Sequence, residues 1–596
     1  MTTSRYAARR PHRLLIVPAL VLAAAAPATA MAAGPDAGAA GGAAAPAAPH
    51  YLVTRLAGTS GATEPRNATT PDGRLYTMTN ADDAKRTAIV LGSADGGREW
   101  TRTAGVPSGQ SMPSSDVDVV ATRTGRLIAS ELDFTSGGAI NFQTSYSDDR
   151  GATWTPSTGA LPADTDRQWY AVGPDDRTTH QPRVYLLFHN LLSGEGNHNM
   201  FVQTSTDGGA TFGAPVPTTL PGDQAYADLQ CADSGGPSSI AVGPTGQLYV
   251  TFGTRSSAAL APLGGCAASV TPGPFEVNVV NATRVWVATS ADGSTGSWTQ
   301  SLAVDRTDTG QIVGMQLSPG AVDRAGNVYV VFPESRSPSD FAAAIKYVSA
   351  PADLSHWSAA VTVAPLSGAG NVLAHIVAGD DGRLGFTWWH GDPQPGTAAP
   401  LWFQEAGQTL DGRAATPAIS HTRVSDIPLQ SGTAAVLMGA CGSGPAAGVQ
   451  NGFTCSRSTD VNGVALDGTG RMYLSWPAQM PKGTDRSRNA TYVATALDGP
   501  SLFADSPAAP AAGGVAAPPA PTAAPVPPTP TAAPARSTPV RTAARPVTRR
   551  PHAPVAARQP TRVLAFTGAP QLLGLTAGAA VASGLLLLRA RRRRRA

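Results

Sequence analysis

The stretch Ser147-Asp148-Asp149-Arg150-Gly151-Ala152-Thr153-Trp154 decides the fold. Asp149 can bond its own backbone, Gly151 supplies the positive φ of a tight turn, and Thr153-Trp154 opens a strand. Ahead of the turn, Ile140, Phe142 and Thr144 alternate with their neighbours at the period of a strand. The stretch therefore predicts a β-hairpin whose aromatic packs against a neighbouring sheet. The pattern returns at Ser93-Ala94-Asp95-Gly96-Gly97-Arg98-Glu99-Trp100 and at Ser205-Thr206-Asp207-Gly208-Gly209-Ala210-Thr211-Phe212, with looser copies at Ser290–Trp298 and Ser349–Trp357.

A second repeat alternates with the first: a turn rich in Asp, Gly or Thr, then a short apolar strand. It occurs at Pro71–Tyr76 and Arg123–Ile128, loosely within Gln181–Phe188, and again at Pro244–Tyr249, Arg324–Tyr329, Asp380–Gly385 and Asp467–Tyr473. Each pair of repeats makes one four-stranded unit, and no amphipathic helix of ordinary length interrupts the series. Residues 50–503 are thus predicted to be all-β, a radial repeat in which units bury their faces against each other. Such a ring must close, and Tyr51-Leu52-Val53 is placed to complete the unit holding Thr491-Tyr492-Val493-Ala494.

The Ser-x-Asp-x-Gly-x-Thr-Trp pattern resembles the Asp-box of BNR, or sialidase-like, β-propellers. The resemblance implies a β-propeller. Seven hairpins favour seven blades, although the sialidases it resembles usually have six. In that family the Asp-box is a structural turn remote from the active site, so it speaks for fold and not for chemistry.

The flanks differ in composition. Residues 1–32 read as an export signal: Arg5, Arg9, Arg10 and Arg13, then an apolar run from Leu14 to Ala26, then the small-residue site Ala28-Thr29-Ala30. Residues 33–49 form an Ala/Gly-rich leader. Residues 504–563 are Pro/Ala/Thr-rich, with scattered arginines and few large apolar residues, and read as an extended spacer. Leu564-Ala565-Phe566-Thr567-Gly568 follows, then the apolar segment 571–588, just long enough to span a bilayer, then the arginine-rich tail 589–596. Pentapeptide, span and basic tail in that order resemble the LPxTG-type cell-wall sorting signal of Gram-positive bacteria, in the L-A-x-T-G form of actinobacteria. The resemblance implies that a sortase cuts between Thr567 and Gly568 and joins the Thr567 carboxyl to peptidoglycan. The precursor would sit in the plasma membrane through its C-terminal helix and the product would be wall-anchored at the cell surface. The alternative is an ordinary C-terminal membrane anchor.

The formal net charge of +3 belongs to the flanks. Setting aside the leader arginines and the thirteen after Asp505 leaves 27 basic against 41 acidic groups, about −14 for the body. That excludes a basic footprint for nucleic acid. Four cysteines, Cys231, Cys266, Cys441 and Cys455, form two locally spaced pairs without zinc spacing. In an exported chain they read as two loop-closing disulfides, with buried free thiols as the alternative.

In a radial repeat, residues entering the innermost strands converge at the mouth of the central channel. Aligning the hairpins puts Asp166, Arg167, Arg457 and Asp460 there as candidate catalytic residues, and Arg66, Asp116, Asp118, Trp169 and His375 as a candidate ligand-binding rim. Each Asp/Arg pair equally reads as a local ion pair that fixes a loop. No metal site is expected, since the histidines are scattered and His198, within Ser193–Met200, reads as part of an exposed turn. No cofactor is implied, and a structural calcium would use loop carboxylates such as Asp116 and Asp118. A serine hydrolase is disfavoured for lack of a G-x-S-x-G elbow.

Sialidase-type chemistry needs arginines gripping a carboxylate, a tyrosine nucleophile backed by glutamate, and an aspartate acid/base. The family's R-I-P motif is missing: Arg66 is followed by Asn67-Ala68. Arg66, Arg167 and Arg457 are the arginines that could form a triad, and no Tyr–Glu pair is assignable. The expected function is therefore a displayed propeller that binds an extracellular glycan or protein, with an exo-glycosidase of the sialidase type as the alternative.

Overall fold

The computed structural model describes residues 44–506 apart from 60–63, 81–87, 106, 108–113, 135–139, 160–164, 191–197, 232–236, 267–281, 315–316, 338–339, 398, 432–460 and 480–488. The export signal, most of the leader, the spacer, the sorting motif, the apolar segment, Arg457, Asp460, Cys441 and Cys455 lie outside the described residues.

The described residues are all-β apart from two short helices, Gln224–Leu229 and Ser257–Leu260, and a 3-10 turn at Ala261–Leu263. The strands follow one another as antiparallel four-stranded meanders. Their first strands, in chain order, are Arg66–Thr69, Ser114–Ala121, Thr165–Asp175, Pro237–Val242, Gly320–Val322, Asn371–Ala378 and Gly463–Leu466. The fifth and sixth meanders are joined by the single pair Ala343–Asn371. The last consists of Gly463–Leu466, Met472–Gln479 and Asn489–Ala496, and its fourth strand comes from the other end of the chain. Tyr51–Arg55 pairs antiparallel with Asn489–Ala496, Val53 opposite Ala494. Just outside that pairing, Asp498 accepts from the His50 backbone amide at 2.7 Å and pairs with its imidazole Nδ1 at 2.8 Å.

The first strands neighbour one another in a cycle: each packs beside the next in chain order, and Gly463–Leu466 packs beside Arg66–Thr69. An apolar cluster sits between each consecutive pair of meanders. Met78 and Val119 join the first to the second, Leu132 and Phe188 the second to the third, and Leu187 and Phe252 the third to the fourth. Val287 and Phe332 continue to the fifth, Tyr347 and Phe386 to the sixth, Trp389 and Trp476 to the seventh. Leu56, Ile89, Leu91 and Val493 fill the gap between seventh and first. Alternation along each strand gives it two apolar faces, one for each neighbour, which is why the cores lie between sheets.

Both repeats are turns at one end of the meanders. In the first, the Ser147 hydroxyl donates to Asp149 Oδ1 (2.8 Å) and accepts from the Gly151 amide (2.8 Å). Asp149 in turn accepts from the Thr153 amide (2.8 Å) and hydroxyl (2.6 Å). Arg150 and Gly151 take successive positive φ angles of 62° and 83°. Ser205, Asp207, Gly209 and Thr211 repeat these bonds, and Ser93, Asp95 and Gly97 repeat the hydroxyl bridge. The second repeat closes with a bond such as Gly73 N–H to the Thr70 carbonyl (2.9 Å), matched at Gly125, Gly246, Gly326 and Gly470.

After the last strand, residues Ser501–Ala504 run across these turns as a strap. Leu502 N–H donates to the Gly470 carbonyl (2.8 Å), Asp380 N–H to the Leu502 carbonyl (2.9 Å) and Ala504 N–H to Asp380 Oδ2 (2.6 Å). The Arg324 guanidinium lies 3.7 Å above the Phe503 ring. Gly379 has no room for a side chain, since a Cβ there would meet the Leu502 carbonyl oxygen at 2.1 Å.

The Cys231–Cys266 disulfide is formed, tying the chain after the first helix to the chain after the 3-10 turn. No helix among the described residues is long and apolar enough to cross a membrane.

Candidate functional site

Where the first strands begin, at the end opposite the two repeats, polar side chains are buried together. Four of these strands carry an irregularity at this end. Pairing slips between Ser114 and Val117, between Asp166 and Trp169, between Val372 and His375, and between Pro237 and Ser239. A bulge breaks the simple in–out alternation and re-aims the residues within it. Arg167 and Leu373 both take φ of 56°, a left-handed conformation that non-glycine residues avoid and that such bulges impose.

Arg66, opening the first meander, is the centre of this group. Its guanidinium stacks 4.0 Å from the centroid of Trp169, from the third meander, and its Nε lies 3.7 Å from Asp118 Oδ1, from the second. Asp118 also accepts from the backbone amides of Val119 (3.0 Å) and Tyr170 (2.7 Å). Burial pushes the Asp118 carboxyl up to about 6, opposed by Arg66 and these two amides. Burial lowers the pKa of Arg66, against the pull of Asp118, Asp116 and Glu64 and with the push of Arg167. His375, from the sixth meander, accepts the Asn462 amide on Nε2 at 3.2 Å. Burial first, and the Arg66 charge second, lower it to about 3, so it is neutral at pH 7.

Arg66, Asp116, Asp118, Arg167, Trp169 and His375 are thus one neighbourhood. Asp166 stands beside it: its Oδ1 accepts from the Arg167 amide (2.7 Å), a local loop-fixing bond, and its Oδ2 faces His189 Nε2 at 3.9 Å. Arg457 and Asp460 lie outside the described residues. Tyr170 faces away from Arg66; its hydroxyl donates to the Ala129 carbonyl (3.3 Å) and its ring packs near Phe212.

His198 corrects the expectation of an exposed turn: it is fully buried. Its Nδ1 lies 3.4 Å from the Leu229 carbonyl and its Nε2 3.2 Å from His189 Nδ1. Gln230 brackets it, accepting the His198 amide at 3.1 Å and donating to its carbonyl at 2.9 Å. Burial lowers His198 to about 4 and pushes His189 well below the ordinary histidine range, with His198 and Arg167 adding to the effect on His189. Sequence reasoning missed His189 because it sits in an apolar strand, Pro182–Asn190, where it looks like a core residue; the structure pairs it with Asp166 across the first two strands of the meander.

No group of three or more His, Cys, Asp or Glu among the described residues is placed to hold a metal ion, and no cofactor is indicated.

No family profile matches the chain and no curated protein matches it. Among solved structures, a PL25 ulvan lyase bound to -[GlcA(1-4)Rha3S]- is similar over 72% of this chain and 94% of its own, at 11% identity and TM-score 0.43. The Penicillium chrysogenum alpha-L-arabinanase complexed with arabinobiose is similar over 64% and 99%, at 11% and 0.37. A Hadza microbial sialidase is similar over 56% and 65%, at 14% and 0.34. At such low overlap the fold rests on the strand order and the cores between the meanders.

Proposed function

We propose that this chain is an exported, sortase-anchored surface protein whose cycle of seven meanders is a seven-bladed β-propeller, and that the propeller binds an extracellular glycan through the mouth around Arg66. The observation that carries the binding reading is the Arg66–Trp169–Asp118 contact, in which three meanders bring a cation, an aromatic face and a carboxylate to one point. Trp169 is buried and holds the guanidinium from beneath, and an oriented cation beside a carboxylate suits the hydroxyls and substituents of a sugar. Anchoring is supported by the order of pentapeptide, apolar segment and arginine tail. The second reading, a glycosidase of the sialidase type, is favoured by Asp118, a buried carboxyl near 6 suited to exchanging protons at neutral pH.

The full chain, offered a panel of neutral, acidic and amino glycans, is expected to bind at least one of them. Arg66→Ala is expected to weaken that binding about tenfold or more and, since it leaves buried Asp118 without its counter-charge, to lower the melting temperature while the chain stays folded at the assay temperature. Release of fluorophore from a sialoside or another aryl glycoside, lost in Asp118→Asn, would install the second reading instead. Neither binding nor turnover across the panel would sink both.

A further inference from the structure

The seam where the two chain ends meet is built from different groups than the other seams. Elsewhere, the second strands of neighbouring meanders bring large apolar side chains into one core, as Leu187 and Phe252 do, or Val331 and Phe386. Between the seventh and first meanders, the second strands Met472–Gln479 and Leu75–Thr79 bring Tyr473, Ser475, Thr77 and Thr79, all of them buried. Asn67 Oδ1 accepts from the Ser475 hydroxyl at 2.7 Å, and its Nδ2 donates to the Tyr473 carbonyl at 3.4 Å. The Tyr473 hydroxyl lies 2.6 Å from the Ala68 carbonyl and 3.0 Å from that of Tyr76. Thr69 donates to the Leu466 carbonyl at 2.7 Å, and Thr491 to the Thr79 hydroxyl at 3.2 Å. The apolar part of this seam, Leu56, Ile89, Leu91 and Val493, lies on the third strands and on the link from Arg55 to Arg66.

The two kinds of seam differ in what opening costs. Parting an apolar seam exposes its surface to water with nothing gained in return, whereas parted hydroxyls and amides bond water instead. Thr495, against which Gly97 of the first meander packs, has a buried hydroxyl without a partner, and opening would give it one. The seam also runs to the mouth. Its bonds hold the strand Arg66–Thr69, so Arg66 stands at one lip, while His375 and Asn462, bonded to each other, stand at the other.

We infer that this seam is a joint, at which the ring parts and recloses ahead of any other seam, so that the lip carrying Arg66 moves relative to the lip carrying His375. Local opening of this kind is drawn from the least costly contacts of a fold. The link from Arg55 to Arg66 crosses the joint and limits how far it opens. The joint is a property of the ring, whatever the mouth binds.

Two buried thiols test it by their rates of alkylation in the native full chain. Thr495→Cys places a thiol in the joint without removing a hydrogen bond. Ala350→Cys places one at similar burial, 5% against 6% exposed, on the strand Asp340–Ala350, in the core between the fourth and fifth meanders. Iodoacetamide, with the unmodified chain as background, is expected to label the thiol in the joint at least tenfold faster. Tyr473→Phe removes the hydroxyl that faces Ala68 and Tyr76, and should speed labelling in the joint about fivefold further while leaving the other thiol unchanged. Equal rates at the two thiols would overturn the inference. So would Tyr473→Phe speeding both alike, the mark of global unfolding, or speeding neither.

Discussion

At the scale of single residues, the buried histidines carry a pH dependence whose sign is fixed. His198 and His375 are held near 4 and 3 in the folded chain, below the 6.5 of an exposed imidazole, so the unfolded chain binds the extra protons. Their contribution is complete above pH 6.5 and is lost as the pH falls through 6 towards 4. Between pH 7.5 and 5 each should remove about 2 kcal/mol of stability. Urea unfolding of His375→Gln at the two pH values should show a drop smaller than that of the unmodified chain by that amount; an identical drop would mean that His375 titrates alike in the folded and unfolded chain. The sequence placed Arg66, Asp116, Asp118, Arg167, Trp169 and His375 at one rim, and the structure brings them into one neighbourhood. It could not show their bonds, because the bulges at Asp166–Trp169 and Val372–His375 break the alternation from which side-chain direction is read. His189 was illegible for another reason, since a buried histidine in an apolar strand has no pattern of its own, while His198, between two asparagines, looked like part of an exposed turn.

At the scale of the element, the repeated turn works through its hydroxyl as much as its aspartate. Ser147 is buried, and its Oγ is the only side-chain oxygen bonded to the Gly151 amide among the described contacts. Ser147→Ala leaves that buried amide without its acceptor and should cost about 1 kcal/mol in urea unfolding. Ligand binding should not change, since the turn lies at the far end of the strands from Arg66. A binding defect equal to that of Arg66→Ala would show that the turn acts on the site. These turns were the most legible part of the chain, because Ser, Asp, Gly and Thr each fill a place that few other residues can. The sixth meander shows the limit. There Thr409 donates to Asp411 at 2.7 Å, a threonine standing in for the serine, and the substitution hid the turn from pattern matching.

At the scale of the whole molecule, the proposed anchoring is open to a direct test. Thr567→Ala should move the protein from the fraction released from boiled cell walls by muramidase to the membrane or medium; an unchanged wall-bound fraction would refute sortase attachment. The closing strand was readable in advance, since a ring must close and Tyr51-Leu52-Val53 is a short apolar run at the start of the repeats. The strap of Ser501–Ala504 was not, because most of the groups it bonds through are backbone ones that any sequence would carry. In the anchored form proposed above, it would govern how the chain bears load. A pull transmitted up the spacer arrives first at Phe503 and Leu502, where Arg324, Asp380 and Gly470 spread it over the turns of three meanders. Only beyond them does it reach Asn489–Ala496, a strand held on both sides, so tension is shared before it can unzip anything. The strap lies at the end opposite Arg66, so in the proposed anchored form a taut tether would hold the proposed binding mouth away from the wall and towards whatever flows past.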